Sequence, residues 1–438
     1  MSLTSALVKR ILFSEPDAEA RQHAQRGVID YIAVTWPVLR GHVPDSSLPA
    51  LRSVYHDGSA RSLALLWGYA GHALDYDDFH ADFRGHPSVA ILPALFAMVA
   101  HGQRTAVSHL LDAYAIGIEV AGRLGQAASQ QHYALGYHNT ASQGTIVAAA
   151  ALARLLQLSE DQTASLLGIA ATQASGLRAQ FGSAIKPLHA GLAAERAVAS
   201  AQLVMAGIEG QKQGVIEAFL AATGNGQQQP EKLIEHWGAP WRIVTPGLEF
   251  KPFATCGGTH SAAEAARILR REWLASGQSL ESLLAQIVHI DVTFPPGGDL
   301  AASVRKPNSG IEARFSLEYV IAAMLIYDDL RLQDFAEGDV NPAVMPLAGK
   351  VHRHEDMSAP PDALNPSLRF HEVAVTLQSG EKLICRRTRQ QSVAVPVDVE
   401  GKLQQAVKSE TAEKATQLLQ ACRLETDEAL IALVDLLR

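Results

Sequence analysis

From Ala18 to about Gly238 almost every segment carries apolar residues at helical spacing, and Ala and Gly fill much of the apolar side. Val28, Ile29, Ile32 and Ala33 mark a helix over Ala20 to Trp36. Arg61 to Leu74 is apolar nearly all round, as a buried helix should be. Ser88 to Ala100, Thr105 to Gly125, the Ala-rich Gly144 to Leu156 and Leu192 to Gly207 follow. Ser159 with Gln162 three residues on gives a capping-box start between them. So many small side chains predict helices packed at short interaxial distance. The chain is expected to be mainly α.

The pattern changes after Trp241. Pro246, Gly247, Pro252, Gly257 and Gly258 mark a junction. Beyond it, Gln286 to Phe294 alternates as a strand, and Glu312 to Tyr327 reads as a helix. Gly349 to His354 is a candidate strand. His371 to Leu377 and Lys382 to Arg387 flank Ser379-Gly380 as a hairpin. After Asp398 helices return. The expected organisation is a large all-helical domain over 1–246 and 389–438, with an inserted smaller α+β lid domain over 247–388.

Several function classes are disfavoured at once. Net charge is −8 without a basic run, which argues against nucleic acid and anionic membrane as partners. The three cysteines, Cys256, Cys385 and Cys422, lie far apart and suggest no disulfide framework, in keeping with a reducing compartment. The N-terminus lacks a clear cleavage site and reads as a docking helix, and no apolar run reaches the roughly 20 residues of a membrane span. A cytoplasmic location is expected. Neither GxGxxG after a strand nor GxxxxGK[ST] occurs, so no nucleotide fold is indicated.

Polar islands break the apolar background. Gly71 to Ala94 gathers His72, Asp75, Asp77, Asp78, His80, Asp82 and His86 between two apolar helices. Such groups can hold a metal, move protons or orient an acidic substrate. His72 and Asp75, read as i,i+3 on one helix face, would suit a metal-dependent hydrolase. His138 precedes the Ala-rich helix, where it is a site residue or incidental to a cap made by Asn139 or Thr140. Lys186, placed before Pro187, is biased towards an extended conformation and is either a surface loop lysine or a buried proton carrier. Lys251 lies in Phe250-Lys251-Pro252-Phe253 at the junction, with Cys256 and His260 beyond. Ser303 and Arg305 lie in a basic loop that is either solvated or faces an anion. Together the lysines, loop histidines and Asp cluster suit proton abstraction next to a carboxylate.

The segments HALDYDDFHADFRGHPS, GYHNTASQG, ASGLRAQFGSAIKPLHAGLAAERAVASAQL and FKPFATCGGTH, in this order and covering nearly the whole chain, resemble the MmgE/PrpD family. That family includes 2-methylcitrate dehydratase, cis-aconitate decarboxylase and iminodisuccinate epimerase. The resemblance implies a helical domain with an α+β lid, a cleft between them, a homodimer, a small di- or tricarboxylate substrate, and no metal or organic cofactor. Carried over by position, Asp75, His86, His138, Lys186 and Lys251 match its catalytic set; Phe79, Thr140, Ser303 and Arg305 are candidate substrate contacts. As aligned, the decarboxylase branch has a hydroxyl residue where this chain has Phe79. It has a lid tyrosine where Ser303 is the nearest match. Both changes remodel the pocket and argue against decarboxylation of cis-aconitate. The expectation is a lyase that dehydrates a 2-methylcitrate-like hydroxy-polycarboxylate. His138 or His86 would be the base, Asp75 would orient a histidine, and Lys186 and Lys251 would hold carboxylates. The alternative at the same site is epimerisation of an amino- or iminodicarboxylate.

Overall fold

Side-chain caps start several of the helices. Asp17 caps Ala18–Leu39, Ser59 caps Ala60–His72, and Ser159 with Gln162 forms a complete capping box on Glu160–Thr172. The computed structural model describes residues 2–362 and 368–438; five residues of the span 247–388 therefore lie outside the described residues. The chain is 58% helical with one small sheet, so it is mainly α. Its contacts divide it into two units. The first comprises Met1–Ala73, Asp77–Phe250 and Asp398–Arg438; the second comprises Leu74–Tyr76 and Lys251–Val397.

In the first unit, Ser88–Ala100 is buried from Ser88 to Met98, and all of Asn139–Leu155 is buried. Small residues permit this. A Cβ added to Gly68 would lie 2.7 Å from the Gly191 Cα, and one on Gly191 would lie 2.3 Å from the Leu65 carbonyl oxygen. The helices Ala60–His72 and Ile185–Met205 therefore cross backbone against backbone. The long helix Val107–Ala134 carries Gly125, whose added Cβ would fall 2.1 Å from the Asp82 carbonyl oxygen. That glycine lets the Asp82-Phe83 turn lie directly on the helix. The C-terminal stretch is joined to the same unit by a buried ion pair, Lys402 Nζ to Asp30 Oδ1 at 2.7 Å.

The helix Ile185–Met205 begins seven residues before the expected Leu192, so Lys186 and His189 are helical. The expected extended conformation at Lys186 is thus wrong. Pro187 sits in the first turn, where a missing N–H removes no helical hydrogen bond and the start absorbs the pre-proline bias.

The second unit holds four strands: β1 (Ile287–Phe294), β2 (Val351–Glu355), β3 (Phe370–Leu377) and β4 (Lys382–Thr388), in sheet order β2-β1-β3-β4. β1 pairs parallel with β2 and antiparallel with β3; β3 and β4 form the antiparallel hairpin, with Gly380 at φ +85° in its turn. Ile290, Val292, Phe294, Val373 and Val375 face a core shared with helices His260–Ala275 and Leu317–Tyr327. The helix expected over Glu312 to Tyr327 is split, because Ser316 caps a new helix at Leu317 after the short turn Gly310–Ala313. Among the described residues, no helix is long and apolar enough to cross a membrane.

Candidate functional site

The helix Ala60–His72 ends at His72, and the chain turns at Asp75, whose φ of +50° is left-handed. This removes the expected i,i+3 helix face of His72 and Asp75. The carboxylate that meets imidazoles is Asp77. Its oxygens lie 2.9 and 3.0 Å from His72 Nδ1, and Oδ2 lies 3.1 Å from His86 Nδ1. His86 Nδ1 also donates to the Asp78 carbonyl oxygen at 2.7 Å, while its backbone N–H donates to Thr140 Oγ1 at 3.0 Å. Thr140 is fully buried and anchors the His86 backbone.

The rings continue from there. His72 lies 4.6 Å from His86 and stacks at 5.9 Å on His138, centroid to centroid. His138 occupies the N-cap position of Asn139–Leu155, but its side chain makes no cap hydrogen bond. Instead its Nδ1 lies 3.1 Å from His189 Nδ1, so one ring donates to the other. Asn139 does not cap either; its Nδ2 donates to the Phe83 carbonyl oxygen at 2.7 Å. The Phe181 ring stands edge-on to His138 at 5.0 Å, with Lys186 Nζ 5.4 Å from its centre. Phe79 stands edge-on to His86 at 5.7 Å and is held by paired backbone hydrogen bonds with Glu249. Lys186 is buried, not a surface loop lysine.

Burial dominates the electrostatics. It pushes His72 down to about 3 and His189 to about 4, and holds His138 well below its ordinary range, with Lys186 adding to each shift. These rings are neutral at pH 7. Burial opposes ionisation of Asp77, but the neighbouring imidazoles outweigh it and hold the carboxyl well below its ordinary range. Asp78 behaves oppositely: burial, reinforced by the charge of Asp30, raises its carboxyl well above the usual range. Ser88 donates to Asp78 and also meets the Tyr114 hydroxyl. Two acidic neighbours are thus pushed in opposite directions, Asp77 towards its charged form and Asp78 towards its neutral one. His80 and Asp82 are structural: His80 Nε2 donates to the Arg242 carbonyl oxygen at 3.0 Å, and Asp82 pairs with Arg242 at 3.2 Å.

In the second unit, Lys251 Nζ donates to Asp75 at both its carbonyl oxygen and Oδ1, each 2.8 Å away. Both side chains are about 5% exposed or less. His260 lies on the same unit, with Nε2 donating to the Thr255 carbonyl oxygen at 3.2 Å; burial and then Lys251 lower it to about 3. Ser303 and Arg305 are exposed, and Arg305 reaches Asp299 only at 3.9 Å.

The first unit therefore brings together His86, His138, Lys186, Phe79 and Thr140 from the expected set, and the second pairs Lys251 with Asp75. His72, Asp77, His189 and His260 lie outside the expected catalytic and substrate-contact set, although His72 and Asp77 belong to the polar island and His72 was a candidate metal ligand. Among the described residues, His72, Asp77 and His86 have donor atoms within 4.8 Å of one another, close enough to hold a metal ion.

Residues 4–229 match the family model for the MmgE/PrpD N-terminal domain, and residues 253–421 match that for the C-terminal domain. The cis-aconitate decarboxylase of Homo sapiens is 32% identical over 331 residues, 72% of this chain and 65% of that protein. Its Aspergillus terreus counterpart is 30% identical over 300 residues, 64% of this chain and 60% of that protein. The Mus musculus enzyme is 30% identical over 333 residues, 72% and 64% of the two chains. The matched region thus spans somewhat less than two thirds of each of these relatives.

Proposed function

The chain belongs to the MmgE/PrpD family, and on that premise we propose that it is a lyase moving a proton at a carbon next to a carboxylate of a small di- or tricarboxylate. The observation that carries this reading is the buried cluster in which Asp77 meets two imidazoles and Lys186 supplies a cation beside them. An imidazole with Nδ1–H held by an acceptor presents Nε2 as a base. A lysine in a buried setting offers a strong electrostatic partner for a substrate carboxylate and for charge developing on it during proton loss. His86 is the proton carrier, and His138 is a second neutral ring within the cluster.

Dehydration of a hydroxy-polycarboxylate of the 2-methylcitrate type is the first reading. Phe79 places an apolar edge beside His86, at the position where a hydroxyl residue is expected in the decarboxylase branch. A second reading, decarboxylation of cis-aconitate, is favoured by the names of the three relatives. Both reactions protonate or deprotonate a carbon beside a carboxylate, so the same groups serve either; epimerisation would use them without loss of water or CO₂. Incubating the protein with citrate, methylcitrate, cis-aconitate, tartrate and iminodisuccinate in D₂O, followed by NMR, separates the three outcomes. Turnover of any one that survives Lys186→Ala and His138→Ala unchanged overturns the site assignment.

A further inference from the structure

We infer that the outer face of the sheet carries a site for a first-row transition dication of the zinc type, built from His289, Asp291 and His354 with His352 at its edge. It lies within the second unit and is independent of the reaction proposed above. His289 and Asp291 alternate along β1, and His352 and His354 along β2, so each pair points to one side of its strand. In the parallel register Asp291 stands opposite His352 and Thr293 opposite His354, which brings both pairs to the same face. Ile290, Val292 and Phe294, which alternate with them on β1, turn the other way into the core.

The side chains close the patch. His354 Nε2 lies 2.7 Å from Asp291 Oδ1, and His289 Nε2 lies 3.2 Å from Oδ2 of the same carboxylate and 3.4 Å from Thr376 Oγ1. The His289 and His352 rings meet edge-on at 6.2 Å. Three imidazoles thus gather around one carboxylate. The backbone beneath them is pinned. Arg353, between the two histidines of β2, points inward and donates to Glu318 at 2.6 and 2.7 Å and to Asp299 at 2.9 Å. It also donates to the carbonyl oxygens of Ala302 and Val304 at 2.7 and 2.9 Å. Lys350, the cation that precedes β2, donates to the Ile287 carbonyl oxygen at 2.6 Å rather than to Asp291.

The contacts at 2.7 and 3.2 Å are hydrogen bonds, and the two nitrogens face opposite oxygens of Asp291. Binding therefore requires the rings to swing inward onto one ion. Exposure allows this, since the side chains of His354 and His289 are 53% and 39% exposed. The hydrogen that each Nε2 lends to Asp291 passes to Nδ1 through water, and Nε2 then offers its lone pair. Imidazole nitrogens with one carboxylate oxygen suit tetrahedral Zn²⁺, at ligand distances of about 2.0–2.2 Å, whereas Ca²⁺ and Mg²⁺ take oxygen ligands.

Calorimetric titration of the EDTA-treated, dialysed full chain with Zn²⁺ tests this. A site with a Kd in the micromolar range or below is expected, and an equal concentration of Mg²⁺ should leave it unchanged. His289→Ala, Asp291→Ala and His354→Ala should each weaken it at least about tenfold, because even a partner behind a metal ligand is worth about 10–100-fold in affinity. A second readout separates this patch from the buried His72, Asp77 and His86 group. Cu²⁺, added well below one equivalent to the ¹⁵N-histidine-labelled chain, broadens the imidazole signals nearest to it. His289, His352 and His354, assigned through their Gln variants, should broaden first. Broadening that begins at His72 and His86 overturns the inference, and so does Zn²⁺ binding that Mg²⁺ displaces equally or that all three Ala variants weaken by less than about tenfold. If the wild type binds no Zn²⁺, the patch is a set of surface hydrogen bonds only, and the inference fails.

Discussion

Mild acid should unfold this protein, and the buried imidazoles give the size of the effect. Burial lowers His72, His260 and His371 to about 3 and His132 and His189 to about 4, and holds His138 well below 6.5. A group whose folded pKa lies below its unfolded value resists protonation in the native state. For a histidine this means that stability is present above the unfolded pKa and is lost as pH falls through it, because only the unfolded chain takes up the proton. Between pH 7 and about 5.5 each such ring costs roughly 1.2 kcal/mol, and six cost about 7 kcal/mol. Asp78 opposes this. Its carboxyl is raised in the folded state, which offsets part of this loss over the same interval. Asp77, held low, contributes only below the ordinary carboxylate range. The net loss is several kcal/mol, comparable with the whole stability of many domains, about 5–15 kcal/mol. Urea unfolding followed by circular dichroism at pH 7, 6 and 5.5 measures it, and a pH-stat measures proton uptake on unfolding. About four protons should be taken up near pH 5.5. Stability that falls by less than about 1 kcal/mol, or an uptake below one proton, would refute the claim that these rings are buried and neutral.

Three substitutions probe other parts of the structure. Gly68→Ala inserts a methyl 2.7 Å from the Gly191 Cα and should destabilise the first unit by about 1–3 kcal/mol, read as a shift in the urea midpoint. Lys402→Met leaves Asp30 as a buried charge without its 2.7 Å partner and should cost about 3–5 kcal/mol, whereas the paired change Lys402→Met with Asp30→Leu should recover most of it. Phe79→Thr replaces the ring edge beside His86 by a hydroxyl; the expected result is a rise in CO₂ release from cis-aconitate relative to water loss from a hydroxy-acid, measured side by side by NMR.

The helical framework was legible because its signals are local. Apolar spacing marked Ser88–Ala100 to the residue, and the Ser159–Gln162 cap formed as its spacing indicates. His86, His138 and Lys186 stood out because charge and imidazole are rare within so apolar a background. Their company was harder to read. Four aspartates lie between His72 and His86, and which one faces the rings depends on where the helix stops and on the left-handed turn at Asp75. Neither is encoded by residue type, since Asp tolerates that conformation without requiring it. His189 meets His138 across 51 residues of sequence, a contact that no local pattern announces. The conformation of Lys186 was misread because the bias before proline holds inside a chain but yields at a helix start.

The glycine contact between Gly68 and Gly191 has a consequence for how the chemistry is held. His72 lies one turn beyond Gly68 on its helix, and His189 and Lys186 lie two and five residues before Gly191 on the other. The two helices thus behave like the arms of a pair of tongs whose pin is a place without side chains. Because the pin sits so near the working tips, little lever arm is left to amplify motion, and sliding at the crossing is transmitted to the tips almost undiminished. A single added methyl at the pin would displace a histidine on one arm relative to a lysine on the other.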